Sequence, residues 1–328
     1  MSIGAKFAPF FYLEYLNNLR SQPKDKQMRL IIALLMIFIS SSAWSKDYSH
    51  LHQRVIYPDR LLLPTNIEKF GDQYFIVDCY NNRVIYSEKI DAPLVEWNRL
   101  GADIPMSWPH SIASDGHFYL VDDTYQNRLL IFERQDKKFI FRKAINDISK
   151  TPHRVLYDDA TNAFYVLGAW SQTITKLVSR NDDIEIEYTK KMDFLNGSYS
   201  RSIHIIDGLM YFISGPGKIN AVSYKDDSYE IVRSHKVPQG FESMNDITRV
   251  GNFFYLTATH NRMLKCKSLD DLPACENVYE SLGIKGNPYF FSYFDDTFHL
   301  TEIGTSDGVI KFDHDKNGLK SPQYFHRY

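Results

Sequence analysis

The sequence predicts an all-β fold of six small antiparallel sheets set around an axis, a six-bladed β-propeller. Three observations carry that expectation. The stretch from Ser107 to Glu133 spells out one full unit: a Pro-His lead-in, a strand at Ser111–Ser114, an Asp115-Gly116 turn, a strand at His117–Val121, a polar Asp-rich loop and a strand at Arg128–Phe132. Asp-Gly between two strands is a strong hairpin signal, because the two-residue turn needs positive φ at its centre. The unit then recurs. The place of Ile112 is taken in turn by Ile67, Val155, Ile203, Ile247 and Phe291, with steps of 45, 43, 48, 44 and 44 residues along the chain. Finally, 22 Tyr and 22 Phe among 328 residues favour strands over helices. A multi-stranded repeat of this period cannot bury both faces of its own sheet, and stacking the units around a ring buries them.

The chain before the first unit has a different character. Residues 1–27 show no folding pattern and are expected to form a non-structural extension. Met28-Arg29, ten apolar residues from Leu30 to Ile39 and the small-residue end Ala43-Trp44-Ser45 read as a signal peptide over residues 28–45. The apolar run is short of the roughly 20 residues that span a bilayer. A long basic leader or an uncleaved anchor is the alternative. The expected mature chain is residues 46–328, one propeller domain, exported to the periplasm or secreted, with no integral membrane segment.

Each blade needs a fourth, outer strand. Candidates are Leu94–Leu100, Phe139–Ala144, Ile184–Lys190, Tyr229–Val237 and the segment around Glu276–Tyr279. A terminal strand must close the ring. Arg54–Pro58 is expected as the outer strand of blade six, with Gln323–Tyr328 competing for that place. Cys266 and Cys275 flank a loop containing Pro273 and could pair in an oxidising compartment, leaving Cys79 buried at a strand end; three packed thiols is the other reading.

The pattern Pro-x-x-Ile, turn, Tyr-Leu-Val-Asp, Asn-x-Arg resembles the NHL repeat. The matching segments are Phe75–Ser87 and Tyr119–Phe132, with a trace in His260–Cys266. The Gly-His and Trp-Asp markers of the WD type are absent. The resemblance implies that the residues leading into each innermost strand, and those leaving each second strand, surround the mouth of a central channel. The lead-in places are Thr65, His110, His153, Arg201, Asn245 and Tyr289, with Asn66, Ser202 and Asp246 beside them. The second strands end near Asp78, Tyr80, Asp122, Tyr125, Trp170, His260 and Glu302. A concave, polar floor with an aromatic rim is how small-ligand sites are usually built.

Pro109-His110-Ser111-Ile112-Ala113 further resembles the zinc-ligand segment of peptidyl-hydroxyglycine amidating lyases, which are six-bladed propellers. That family implies a zinc ion on three histidines of alternate blades and a catalytic tyrosine in an Asp-x-Tyr context, which Asp78-Cys79-Tyr80 matches. Here His110 and His153 fall on neighbouring blades, and Arg201, Asn245 and Tyr289 stand where further ligands would. Were a divalent metal such as zinc present, His110 and His153 would be ligands and Asn245 or Asp246 a third. The ion would polarise a substrate oxygen or activate water, with Tyr80 or Tyr125 as acid or base. The plainer reading has each histidine bonded to backbone in its lead-in loop. Asp78 and Asp122 are expected to accept backbone N–H groups. Arg201 could clamp a carboxylate or phosphate, or neutralise Asp246.

Three functions follow. The first is an exported propeller that binds a small ligand, peptide, glycan or envelope protein on its channel face, through His110, His153, Trp170, Arg201, Asn245, Asp246, His260 and Tyr289. The second is a metal-assisted lyase or hydrolase centred on His110 and His153. The third is a structural subunit of an envelope assembly. The formal net charge of −2 recommends no nucleic-acid partner. No phosphate-binding loop, dinucleotide fingerprint or nucleophile elbow is present. Asp313–Gly318 looks like a calcium loop but lacks the distal acid, so a turn is expected there.

Overall fold

The computed structural model describes residues 56–326, apart from Pro216 and Thr305. The N-terminal extension and the signal peptide expected at residues 28–45 lie outside the described residues. No helix among the described residues is long and apolar enough to cross a membrane.

Six four-stranded antiparallel sheets follow one another along the chain. Their innermost strands are Pro64–Phe70, Pro109–Ser114, Pro152–Asp158, Tyr199–Ile206, Met244–Val250 and Asn287–Phe294. Each continues outward through two further strands to a fourth at the rim, in strictly consecutive order. The outer strands are Asn98–Arg99, Lys138–Ile145, Asp183–Lys191, Ile231–Lys236, Glu276–Asn277 and Gly318–Phe325. The expected six-bladed propeller is the fold.

Proline opens several inner strands because the first position donates no ladder hydrogen bond. The second strands, such as Phe118–Asp123 and Ala163–Gly168, are buried along their whole length. They lie between neighbouring blades, so both faces need apolar side chains. Among the described residues the core is accordingly divided into one layer per blade junction, with a small further cluster of Tyr289, Phe290 and Ile303 in blade six. Phe75, Val77, Ile112, Tyr119 and Phe132 fill the first junction. Ile67, Ile76, Ile85, Phe294 and Val309 fill the last, between blades six and one. Each fully buried Phe, Leu or Ile contributes about 1.5–3 kcal/mol relative to exposure.

The closing strand is a correction. Arg54–Pro58 was expected at the edge of blade six, yet Ile56–Pro58 carries no strand and Arg54 and Val55 lie outside the described residues. The outer strand of blade six is Gly318–Phe325, paired antiparallel with Gly308–Asp315. The turn between them explains this. Asp315 Oδ1 accepts the Asn317 N–H at 2.7 Å, and Gly318 takes φ +112°. A Cβ at Gly318 would collide with the Tyr255 hydroxyl, which itself accepts the Leu319 N–H at 2.9 Å. A short local hairpin costs far less loop entropy than a strand brought from the other end of the chain.

The Asp…Asn-Arg signature has a structural role. Arg83 pairs with Asp78 at 2.8 Å and Arg128 with Asp123 at 2.7 Å. Asn82 Oδ1 accepts the Trp108 N–H at 3.1 Å and Asn127 Oδ1 the Thr151 N–H at 2.8 Å, so each asparagine holds the lead-in of the next blade. Trp108 and Thr151 precede proline and have φ +56° and +58°, a strained region for such residues that the clamps hold in place. The place of Asp78 is therefore taken in blade two by Asp123, not by Asp122 as the sequence pattern proposed. Cys266 and Cys275 are joined by a disulfide that ties blade five's third strand to its outer edge; Cys79 lies outside it and is buried.

Candidate functional site at the channel mouth

All six inner strands shift register near their start, between Pro64 and Asn66 in blade one and between Met244 and Asp246 in blade five, for example. Such an irregularity turns two consecutive side chains toward the axis instead of alternating them. The channel wall is consequently layered. The uppermost layer holds Thr65, His110, His153, Arg201, Asn245 and Tyr289. The next holds Asn66, Ser111, Arg154, Ser202, Asp246 and Phe290.

In the upper layer, the imidazoles of His110 and His153 lie 4.2 Å apart, centre to centre, at 34°. His110 Nδ1 is 2.9 Å from the Trp108 carbonyl, and His153 Nδ1 is 2.8 Å from the Arg201 carbonyl. A carbonyl only accepts, so both Nδ1 atoms carry the proton and both Nε2 atoms carry a lone pair. Burial pushes the His110 pKa down to about 4 and that of His153 well below the usual range, with the Arg201 cation adding to both shifts. Both rings are neutral at pH 7. The Cys79 sulfur lies 3.9 Å from His110 Nε2.

Arg201 Nη1 donates to Asn245 Oδ1 at 2.8 Å, and Asn245 Nδ2 donates to the Pro288 carbonyl at 2.9 Å. Three blades thus fix the guanidinium. Burial raises the Tyr289 pKa, opposed by the Arg201 charge. Tyr199 packs edge-on against His153 at 5.6 Å and against Trp170 at 5.2 Å, and Trp170 is 41% exposed. A second aromatic arc runs through Tyr80, Trp108 and Tyr125, with centres 5.6 and 5.4 Å apart.

The remaining predicted residues stand apart from this group. Asp246 is wholly buried and accepts from Ser202 Oγ at 2.7 Å and from the Phe291 N–H at 3.0 Å, so it joins blade to blade. Asn66 does the same toward the Ile112 N–H, and Ser111 toward the Val155 N–H. His204 lies deeper, 3.6 Å from Asp246. His260 sits on an exposed turn with φ +63°, its Nδ1 3.0 Å from Thr259 Oγ1. Glu302 accepts the Lys285 N–H at 2.7 Å, a loop-holding role.

Two further residues contribute to the channel: Asp122, which the sequence marked as a carboxylate accepting backbone N–H groups, and Arg154, which the sequence did not single out. Asp122 is fully buried under the histidine pair, accepting from Ser111 Oγ and from the His110 N–H at 2.7 Å. Burial outweighs those bonds and pushes its pKa up to about 7. Arg154, directly after His153, reaches across the axis so that its guanidinium carbon lies 3.3 Å from the centre of the Phe290 ring.

The residues do not fit the three-histidine zinc centre. Two Nε2 lone pairs are available, but His204 and His260 are elsewhere, and no group of three or more His, Cys, Asp or Glu side chains among the described residues is placed to hold a metal ion.

The fold and the layered mouth define a six-bladed β-propeller with a polar central channel. No known family profile matches the chain, and no curated protein matches it in sequence. Solved structures share the architecture. A putative 6-phosphogluconolactonase from Bacteroides uniformis superposes with a TM-score of 0.58 at 14% identity, covering 82% of this chain and 85% of its own. Kuenenia stuttgartiensis hydrazine synthase gives 0.54 at 15% identity, over 81% and 80%. Saccharomyces cerevisiae Sqt1 gives 0.57 at 10% identity, over 81% and 86%. Identities this low establish the fold alone.

Proposed function

We propose that this chain is an exported, NHL-type propeller that binds a ligand at the channel mouth, and that the ligand is an acidic sugar or glycan. The observation that carries the reading is the placement of Arg201, held by Asn245, beside two neutral imidazoles whose Nε2 atoms are acceptors. A guanidinium answers an acid group, acceptors answer hydroxyls, and the Tyr199–Trp170 rim offers faces for a sugar ring. Export rests on the leader-like segment at residues 28–45. The Asp78–Arg83 and Asp123–Arg128 pairs, with Asn82 and Asn127, support the repeat type.

Calorimetric titration with glucuronic acid and with glucose tests this. Saturable binding of the acid, weakened about tenfold or more in Arg201→Gln, is the expected result. Equal affinity for glucose, or an acid titration that Arg201→Gln leaves unchanged, overturns it.

A further inference from the structure

The channel has another end. Below the Arg154–Phe290 contact, a cavity of about 510 Å3 opens on the face that carries the hairpin turns. Glu68, Arg154, His204, Ser292 and Tyr293 are among its lining residues.

Its polar groups have unspent capacity. Arg154 is only 7% exposed, yet its guanidinium makes no hydrogen bond to the described residues, and its Nε is buried without a partner. Its nearest counter-charge is Glu68 Oε1 at 3.7 Å, beyond hydrogen-bond range. Glu68 meets Asn66 Nδ2 at 3.1 Å and Ser292 Oγ at 3.4 Å through the same Oε1, and its Oε2 accepts from none of the described residues. His204 Nδ1 is likewise buried without a hydrogen bond. A buried guanidinium left so incompletely satisfied is costly, and a molecule supplying an acceptor relieves that cost, while the half-buried Glu68 carboxylate beside it is open to a donor. The partly exposed Leu156 and Ile205 complete the wall with apolar surface.

We propose that this lower cavity is a second binding site, separate from the mouth, that takes a free α-amino acid with an apolar side chain. The carboxylate meets Arg154, the ammonium meets Glu68 Oε2, and the side chain lies against Leu156 and Ile205. The opposite charges on the cavity wall select a zwitterion over a simple anion or cation. The site is independent of the mouth reading, because none of its groups belongs to the His110–His153–Arg201 layer.

The test titrates the full chain with L-leucine, N-acetyl-L-leucine and L-leucinamide. Only the first carries both charges. Saturable binding of leucine is expected, with each blocked form weaker by about tenfold or more, the worth of one charge-assisted contact. Glu68→Gln is expected to weaken leucine by a similar factor, and Arg154→Lys to weaken it while the circular dichroism spectrum stays that of the parent. Arg201→Gln, at the mouth, is expected to leave leucine binding unchanged. Blocked forms that bind as tightly as leucine, no saturation by leucine, or an unaltered affinity in folded Glu68→Gln overturn the proposal.

Discussion

Arg154 of blade three and Phe290 of blade six occupy equivalent places on opposite sides of the ring, and they meet over the axis at 3.3 Å. The other places in that layer are used differently. Asn66, Ser111, Ser202 and Asp246 link neighbouring inner strands around the circumference. Arg154 and Phe290 brace the ring across a diameter.

Removing the ring of Phe290 should therefore cost more than an ordinary wall residue. Phe290→Ala is expected to lower stability by about 3–5 kcal/mol, part of it the cation–π contact. Phe290→Leu, which keeps much of the volume, should cost clearly less. Urea denaturation measures both; an alanine variant within 1 kcal/mol of the parent, on the order of a surface substitution, would contradict the brace.

The neutral histidine pair makes stability depend on pH. His110 has a folded pKa of about 4 against 6.5 in the unfolded chain, so between those values the unfolded state holds the extra proton. Its contribution is present above pH 6.5 and is lost as pH falls toward 4, by up to about 3 kcal/mol. Asp122, raised to about 7, works the other way: the folded state keeps its proton between pH 3.8 and 7, so its contribution grows as pH falls through that window. The His110→Gln variant separates the two. The stability advantage of the parent over this variant should shrink by about 2–3 kcal/mol between pH 7 and pH 4 in denaturation curves. Curves that stay parallel across that range would refute the assignment.

The Cys266–Cys275 bond closes a loop with a sequence separation of 9. Restricting so short a loop in the unfolded chain is worth about 2–3 kcal/mol. Cys275→Ser under oxidising conditions should lose that amount, while the same substitution measured in excess reductant should change little. A variant as stable as the oxidised parent would show that the bond contributes nothing to folding.

Metal content distinguishes the mouth from a lyase centre. With two imidazoles and no third ligand among the described residues, protein purified without chelator should carry zinc only in traces, unchanged in His110→Ala/His153→Ala. Stoichiometric zinc that disappears in the double variant would overturn the binding reading of these residues.

Much of this architecture was legible because a strand period and a repeat period coincide. The innermost positions from Ile67 to Phe291 all lie on first strands, and the outer strands at Phe139–Ala144 and Ile184–Lys190 fall inside the observed ones. The mouth layer was legible for the same reason: equivalent places in equivalent units converge. What escaped depends on local irregularity. Asp122 was aligned with Asp78 because both follow Val in a Val-Asp pair, whereas spacing to the following arginine makes Asp123 the partner. Arg154 escaped because alternation assigns adjacent residues to opposite faces, and the irregular start of the inner strands breaks that rule where the channel begins. The hairpin of blade six was recognised as a turn at Asp313–Gly318 but not as the return of an edge strand.

Because every blade is drawn from consecutive strands, no backbone ladder among the described residues crosses from blade six to blade one. Among the described residues side chains hold that junction: the apolar layer around Ile67 and Phe294, the Tyr74–Asp295 hydrogen bond at 2.7 Å, the Lys69–Asp295 ion pair and the bond from Ser292 to the Ile67 carbonyl. In this ring the junction acts as a clasp. Tension applied between the first and last blades would part surfaces there before it peeled any strand from its sheet, and each blade would leave the parting with its own hydrogen bonds intact.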